Sequence, residues 1–356
     1  MGPILPQTAG RTVPKVDGQT GPWRSGLSVR TYLGRPEALF SVIIGPMPVT
    51  VAIAQARPHY LDLPRSLDRC LTLLEEAAAR GAARVAFGET WLTGYPAWLD
   101  HAPGAALWDS APVKDLHARL RAHSVTVPGP VTQRIGEAAA RLRVAVAIGI
   151  NERVDRGPGR GTLYNAFLLF DERGQLVIHH RKLVPTHGER LVWGPGDGAG
   201  LHAAETQAGR VGGLICWEHW MPLARQALHD DGEDLHVALW PALNDAHLLA
   251  SRHYAFEGRC FVLCAGLLME RSDMPAEISL IPPAGGESER LLVRGGSAIV
   301  GPDGRFVVEP VFDREALIVA ELDLTALDRE RMTLDVTGHY HRPDVLRLEV
   351  FRGGRR

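Results

Sequence analysis

Cys216 stands in the run Gly212-Gly213-Leu214-Ile215-Cys216-Trp217-Glu218-His219-Trp220-Met221-Pro222-Leu223, where an apolar strand ends and a helix soon begins. A thiol at a strand-to-helix turn can be exposed at a sheet edge, and the helix N-terminus favours its thiolate. A free cysteine titrates near about 8.5, so nucleophilic work at neutral pH needs such help. The competing reading is a buried structural cysteine, and it fits Cys260 and Cys264 better, at a helix end and in an apolar strand. Glu89 follows Val85-Ala86-Phe87-Gly88, at the C-terminal edge of a buried strand. Partial burial there would raise its pKa and suit it to general-base work; taken alone it also reads as a solvated loop residue. Lys182 closes Val177-Ile178-His179-His180-Arg181 and could hold an anionic tetrahedral intermediate, or be an ordinary surface cation in a basic cluster.

The elements that must position these residues follow from periodicity. Strands are predicted over 49–56, 85–88, 144–150, 211–216, 237–240, 261–265 and 317–322, with hairpins over 162–170/175–181 and 297–304/305–310. Helices are predicted over 63–80, 113–121, 131–143, 221–228 and 250–258. In the first of these, Leu67, Cys70, Leu71, Leu74 and Ala78 share one face and Gly81 stops the helix. The Gly/Pro-rich stretch 282–286 reads as a loop. Strands and helices alternate throughout, so the fold class is α/β.

At 356 residues the chain has room for a sizeable core, and 45% hydrophobic with 22% charged residues is ordinary for a globular protein. Lys and Arg total 39 against 41 Asp and Glu, a formal charge of −2, which argues against a generally basic nucleic-acid binder. The four cysteines, at 70, 216, 260 and 264, form no C-x-x-C pair, so a cysteine-based zinc site and a disulfide scaffold are both disfavoured and a reducing, cytoplasmic setting fits. His179 and His180 are adjacent on a strand and face opposite sides, poor geometry for a shared metal. No apolar run is long enough to span a membrane, since Pro46 and Pro48 interrupt the nearest one. Residues 1–46 carry seven Gly and six Pro with no clear helical period, and read as a flexible extension or a start assigned too early. A single domain is expected over 47–356.

In their flanks, the three positions resemble the Glu-Lys-Cys triad of the nitrilase superfamily of carbon–nitrogen hydrolases. The matching stretches are Gly88-Glu89-Thr90-Trp91-Leu92-Thr93-Gly94-Tyr95-Pro96, then Arg181-Lys182-Leu183-Val184-Pro185-Thr186-His187-Gly188-Glu189-Arg190, then Cys216-Trp217-Glu218-His219-Trp220-Met221-Pro222-Leu223. The tail Gly338-His339-Tyr340-His341-Arg342-Pro343-Asp344 is similar too. The flanks are closest to the true nitrilase branch; His219, often Asn there, and Gly88, often Pro, depart from it.

The resemblance implies a four-layer α-β-β-α sandwich and the hydrolysis of an organic nitrile to a carboxylic acid and ammonia through a covalent cysteine intermediate. It implies Glu189 as a second carboxylate beside the triad, and no metal or organic cofactor. It places Trp217 next to the nucleophile. Trp91, Tyr95 and Trp193, with Trp98 and Trp240 near the motif loops, read either as an aromatic wall for apolar substrates or as simple packing, and with His219 of the motif the first three complete the expected substrate-binding set. An amidase or cyanide-degrading enzyme is the alternative within the fold, and a catalytically silent binding scaffold the alternative outside it. The resemblance further implies a homo-oligomer built from dimers through 221–228 and 250–258. The tail from 338 is expected at the subunit interface, with Leu346, Leu348 and Val350 alternating like an added strand. No nucleic-acid or membrane partner is expected.

Overall fold

The structure is a computed structural model and describes residues 48–278, 280 and 290–353. The expectations for residues 1–46 and for the loop at 282–286 fall outside these residues. Among these described residues, thirteen strands form two sheets. The first contains β1 (Val49–Gln55), β2 (Arg84–Ala86), β3 (Ala145–Arg153), β4 (Leu163–Phe170), β5 (Leu176–Arg181) and the late strand β13 (Ala316–Leu322), in the order β13-β1-β2-β3-β4-β5. The second contains β6 (Ala204–Thr206), β7 (Gly209–Ile215), β8 (Leu235–Leu239), β9 (Phe261–Ala265), β10 (Leu268–Glu270), β11 (Leu291–Val300) and β12 (Phe306–Phe312), in the order β10-β11-β9-β8-β7-β6 with β12 beside β11. Each sheet is parallel at its centre, β1-β2-β3 in one and β7-β8-β9 in the other, with antiparallel flanks.

The helices are α1 (Leu63–Ala79), α2 (Trp98–His101), α3 (Ala111–Ala122), α4 (Pro130–Leu142), α5 (Pro222–Asp230), α6 (Asp245–Gly258) and α7 (Thr325–Arg331). Alternation along the strands explains the layers. Ala52 and Ala54 of β1, with Val146, Ile148 and Ile150 of β3, face one cluster with Leu67, Cys70, Leu74 and Ala77 of α1 and Ile135, Ala138 and Ala139 of α4. Val51, Ile53, Ala147, Phe167 and Leu169 face the other side and join β7, β8 and β9 in the second cluster, which continues to Leu228 of α5 and Tyr254 of α6. The result is the four-layer α-β-β-α sandwich. Phe167 packs so closely across the sheets that a Cβ on Gly213 would lie 2.5 Å from its ring. Removing one such buried side chain, for example Leu74→Ala, would cost about 2–5 kcal/mol.

Local chemistry sets the boundaries. Asp62 caps α1 through Oδ1, which accepts from Arg65 N at 3.2 Å, and a proline sits in the first turn. Asn244 Oδ1 accepts from Ala246 N (3.0 Å) and His247 N (3.2 Å), so α6 starts at Asp245, five residues before the predicted 250. The strand predicted from 297 begins at Leu291, and β2 ends at Ala86 rather than 88. Residues 346–350 carry no strand, contrary to the alternation expected there. Instead the end of the tail lies against its own chain: Arg352 donates to Leu201 O at 2.9 Å, and Phe351 O packs on Gly198. No helix among the described residues is long and apolar enough to cross a membrane.

Candidate active site

Glu89, Lys182 and Cys216 come just past the ends of β2, β5 and β7, and the topology gathers them. The parallel strands β2 and β7 deliver two of them at C-terminal strand ends, the side of a parallel sheet where ligands bind. All three are buried, at 0%, 1% and 3% exposure. Lys182 Nζ lies 3.1 Å from Glu89 Oε1 and 2.7 Å from Glu189 Oε2. A carboxylate oxygen of each glutamate and Cys216 Sγ all fall within 4.8 Å of one another. Three such groups could surround a cation, and the Lys182 ammonium already supplies that charge.

Neighbouring segments hold each group. Asn165 of β4 donates from Nδ2 to Glu89 Oε1 at 2.6 Å, while its carbonyl accepts from Lys182 N at 2.8 Å, so one residue fixes both partners. Glu189 sits in a single 3-10 turn, His187–Leu191; its Oε2 accepts from Thr186 N at 2.7 Å and its Oε1 from the Tyr95 hydroxyl at 3.1 Å. Gly149 passes directly beneath Glu89, where a Cβ would meet Gly88 O and Thr90 N at 2.4 Å. Glu89 Oε2 is buried and takes no hydrogen bond among the described residues, which leaves it free for a proton.

Cys216 opens a second 3-10 turn, Cys216–Trp220, with φ of 55°. A non-glycine residue in this left-handed region is strained and needs its surroundings to hold it. Glu218 is the main clamp. Its carboxylate accepts from Leu183 N at 2.7 Å, from Ile215 N at 2.8 Å, and shares His180 Nε2 between both oxygens at 3.0 Å. It thereby ties the residue after Lys182 to the residue before Cys216. Burial would raise the pKa of Glu218, but His180 and the two amides outweigh it and hold the carboxyl below its usual range.

The electrostatics correct one expectation. Rather than favouring the thiolate, the site raises the Cys216 pKa well above normal, through burial and the charge of Glu89, against the pull of Lys182 and the Trp217 backbone N–H. The thiol therefore rests neutral and must hand its proton to a base. Burial, reinforced by Glu189 and opposed by Lys182, pushes Glu89 up to about 7. Burial alone would lower Lys182, but Cys216, Glu89 and Glu189 raise it, so it stays charged.

A cavity of about 200 Å³ opens over the sulfur, lined by Tyr95, Leu99, Thr186, Glu189, Trp217 and His247 among others. Trp217 and Tyr95, both expected from sequence, line it. Trp91, Trp193 and His219 do not. Trp91 is fully buried and donates to Ala56 O at 2.7 Å. Trp193 backs Tyr95 edge-on at 5.7 Å and donates to Asn151 Oδ1. His219 points away beneath the turn, stacked on Trp240 at 4.7 Å. Trp217 lies half-exposed at the mouth. Sequence alone does not assign Asn165 or Glu218 a role; Glu218 stands in the motif around Cys216, while nothing near Asn165 in sequence marks it.

A family profile described as carbon-nitrogen hydrolase matches residues 50–331. A protein named nitrilase 2, from an unknown prokaryotic organism, is 42% identical over 310 residues, covering 86% of this chain and 94% of its own. A nitrilase of Pseudomonas syringae pv. syringae is 38% identical over 316 residues, covering 85% and 89%. Among solved structures, Saccharomyces cerevisiae Nit3, a member of branch 10 of the nitrilase superfamily, aligns over 83% of this chain and 97% of its own with a TM-score of 0.63 at 19% identity, a likeness of fold. With the profile spanning most of the chain and these relatives matching nearly end to end, the chain belongs to the carbon-nitrogen hydrolase family.

Proposed function

We propose that this chain is a nitrilase, hydrolysing an organic nitrile with two waters to a carboxylic acid and ammonia. The observation that carries the chemistry is the meeting, under one cavity, of the Cys216 thiol, the buried Oε2 of Glu89 that takes no hydrogen bond among the described residues, and Lys182 Nζ. The choice of nitriles over amides rests on the relatives named nitrilases.

Glu89 takes the thiol proton as Sγ attacks the nitrile carbon, and returns it to the nitrogen to give a thioimidate. Glu89 then removes a proton from water, which adds to the same carbon. Glu89 passes that proton to the nitrogen and then relays the hydroxyl proton to it as well, so the tetrahedral intermediate expels ammonia and leaves a thioester. A second water, activated the same way, releases the acid and restores the thiol. Lys182 and the Trp217 N–H stabilise the negative charge that develops at each addition. Glu189 holds Lys182 in place, and Tyr95 and Trp217 form the substrate wall.

The test is a panel of nitriles, the matching amides and cyanide, assayed for acid and ammonia with parent and Cys216→Ala. Nitrile turnover lost in Cys216→Ala is the expected result; turnover of amides or cyanide alone would refute the nitrile assignment. We also propose that the protein pairs as a homodimer through α5 and α6, whose outer faces expose Leu223, Leu249 and Phe256. Light scattering across a concentration series should give a dimer or a small multiple of it; a fully active monomer would refute the pairing.

A further inference from the structure

Beneath the nucleophile turn runs a chain of buried polar side chains that the chemistry above does not use. His219 Nδ1 lies 2.7 Å from Cys216 O, and its Nε2 lies 2.9 Å from His236 Nε2. His236 Nδ1 in turn lies 2.9 Å from Glu233 Oε2, and the Tyr254 hydroxyl donates to Glu233 Oε1. His219, His236, Glu233 and Tyr254 are all at or below 2% exposure. The rings are clamped: His236 stacks on Tyr254 at 3.8 Å.

The partners dictate the proton count. The Cys216 carbonyl can only accept, so His219 Nδ1 carries hydrogen. Burial would raise the pKa of Glu233, but His236 and His229 outweigh it and bring it down to about 2; as a carboxylate it also only accepts, so His236 Nδ1 carries hydrogen. Between the rings, one of the two Nε2 atoms must carry hydrogen for their bond to form. Three protons on four nitrogens leave the pair with one positive charge, balanced by Glu233. Burial and His236 push the pKa of His219 well below normal. The other groups facing this network are His229 and Glu257, which lie together, and Arg225, which pairs with Glu257 at 2.6 Å and donates to His219 O at 3.1 Å.

The carbonyl that His219 grips belongs to the same planar peptide as the Trp217 N–H, and that N–H faces Cys216 Sγ. Holding one end of the peptide plane aims the other. A hydrogen bond to the carbonyl, backed by a cation, also makes the amide a stronger donor. The strained φ of 55° at Cys216 makes such a hold necessary.

We propose that His219, held by the His236–Glu233 pair, is a positioning residue that fixes and polarises the Cys216–Trp217 peptide so that its N–H meets the anion formed on nucleophilic attack. This rests on Cys216 being the nucleophile. Losing one donor of this kind typically costs about 10²–10³ in kcat. His219→Ala should therefore lower nitrile kcat about 10²-fold with KM within about threefold. His219→Asn, whose amide can still donate to the carbonyl, should recover to within about tenfold of the parent. Glu233→Gln should lower kcat about tenfold in the parent but less than twofold in the His219→Asn background, where no imidazole depends on the cation. A purely structural role for Glu233 would give equal losses in both backgrounds. That equality, a loss confined to KM, or a folded His219→Ala variant within threefold of the parent kcat would overturn the proposal. The Glu233→Gln cycle decides even if His219→Ala fails to fold. A parent without nitrile turnover, or Cys216→Ala that keeps it, overturns the nucleophile assignment and this inference together; an active parent with a silent Cys216→Ala leaves the other outcomes to judge this inference alone.

Discussion

Replacing Glu218 by Gln changes one oxygen to an amide nitrogen and should damage stability and turnover together. The carboxylate is buried and serves two backbone donors through different oxygens, Leu183 N on Oε1 and Ile215 N on Oε2. Glutamine has one carbonyl oxygen, so one of these amides would face another donor. An unsatisfied buried N–H costs about 1–3 kcal/mol, and the bond to His180 loses its charge assistance. Together that is roughly 2–4 kcal/mol, or a melting temperature roughly 3–10 °C lower. Leu183 follows Lys182 and Ile215 precedes Cys216, so slack here changes the distance between ammonium and thiol. A misplacement of about 1 Å can cost about 10²-fold in rate, and kcat should fall about 10–100-fold with KM little changed. The sign with pH is fixed as well. The folded pKa of Glu218 is depressed, so its contribution is present above the unfolded carboxylate value and is lost as pH falls through the folded one. The melting deficit of Glu218→Gln should thus shrink in acid, where the parent residue is itself protonated. Thermal melts from pH 8 down to pH 3, with steady-state kinetics at pH 8, make the measurement. A variant that melts and turns over like the parent would refute the idea that Glu218 ties the two strand ends together.

Glu89, held up at about 7, must be ionised to accept the thiol proton, so kcat/KM should fall about tenfold per unit as pH drops below about 7, and a flat profile down to pH 5 would exclude it as the base. Because its folded pKa is raised, stability tied to its proton is lost as pH rises toward about 7; Glu89→Gln should therefore be inactive yet melt at or above the parent at pH 8, and a lower melting temperature would contradict the burial cost. Lys182→Ala and Cys216→Ala should each remove nearly all turnover, and the double variant should lose no more than the worse single one; a multiplied loss would mean that they act in separate steps. Glu233 and Glu257, both lowered to about 2, contribute stability above about 4.5 that is lost as pH falls toward 2, so the acid unfolding limb should lie in that window and move upward in Glu233→Gln.

What could be read from the sequence was whatever is local in the chain. The apolar alternation of β1 and the 3.6-residue stripe of α1 are properties of neighbouring residues, and both elements form close to where periodicity placed them. The catalytic candidates were legible because each stands in a run with its own flanking signal. What could not be read depends on distances across the fold. Asn165 matters because β4 lies beside β5 and near Glu89, 76 positions away, a proximity that the pattern of β4 does not encode. Aromatic type puts Trp91 and Trp193 on the substrate wall and motif position puts His219 there, but neither reveals which way a ring turns. Trp91 and Trp193 each have a buried acceptor for the indole N–H, at Ala56 O and Asn151 Oδ1, which draws the ring into the core. His219 has hydrogen-bond partners on both sides, the Cys216 carbonyl and His236, and the second exists only because β7 and β8 run side by side. The thiol shows the same limit in electrostatics. A cysteine before a helix favours the thiolate when the turn is open to water, but here burial, reinforced by two carboxylates that share its pocket, reverses the sign. The reversal assigns the work: a nucleophile that cannot ionise by itself needs a base poised near neutrality, and burial of Glu89 beside Glu189 provides one.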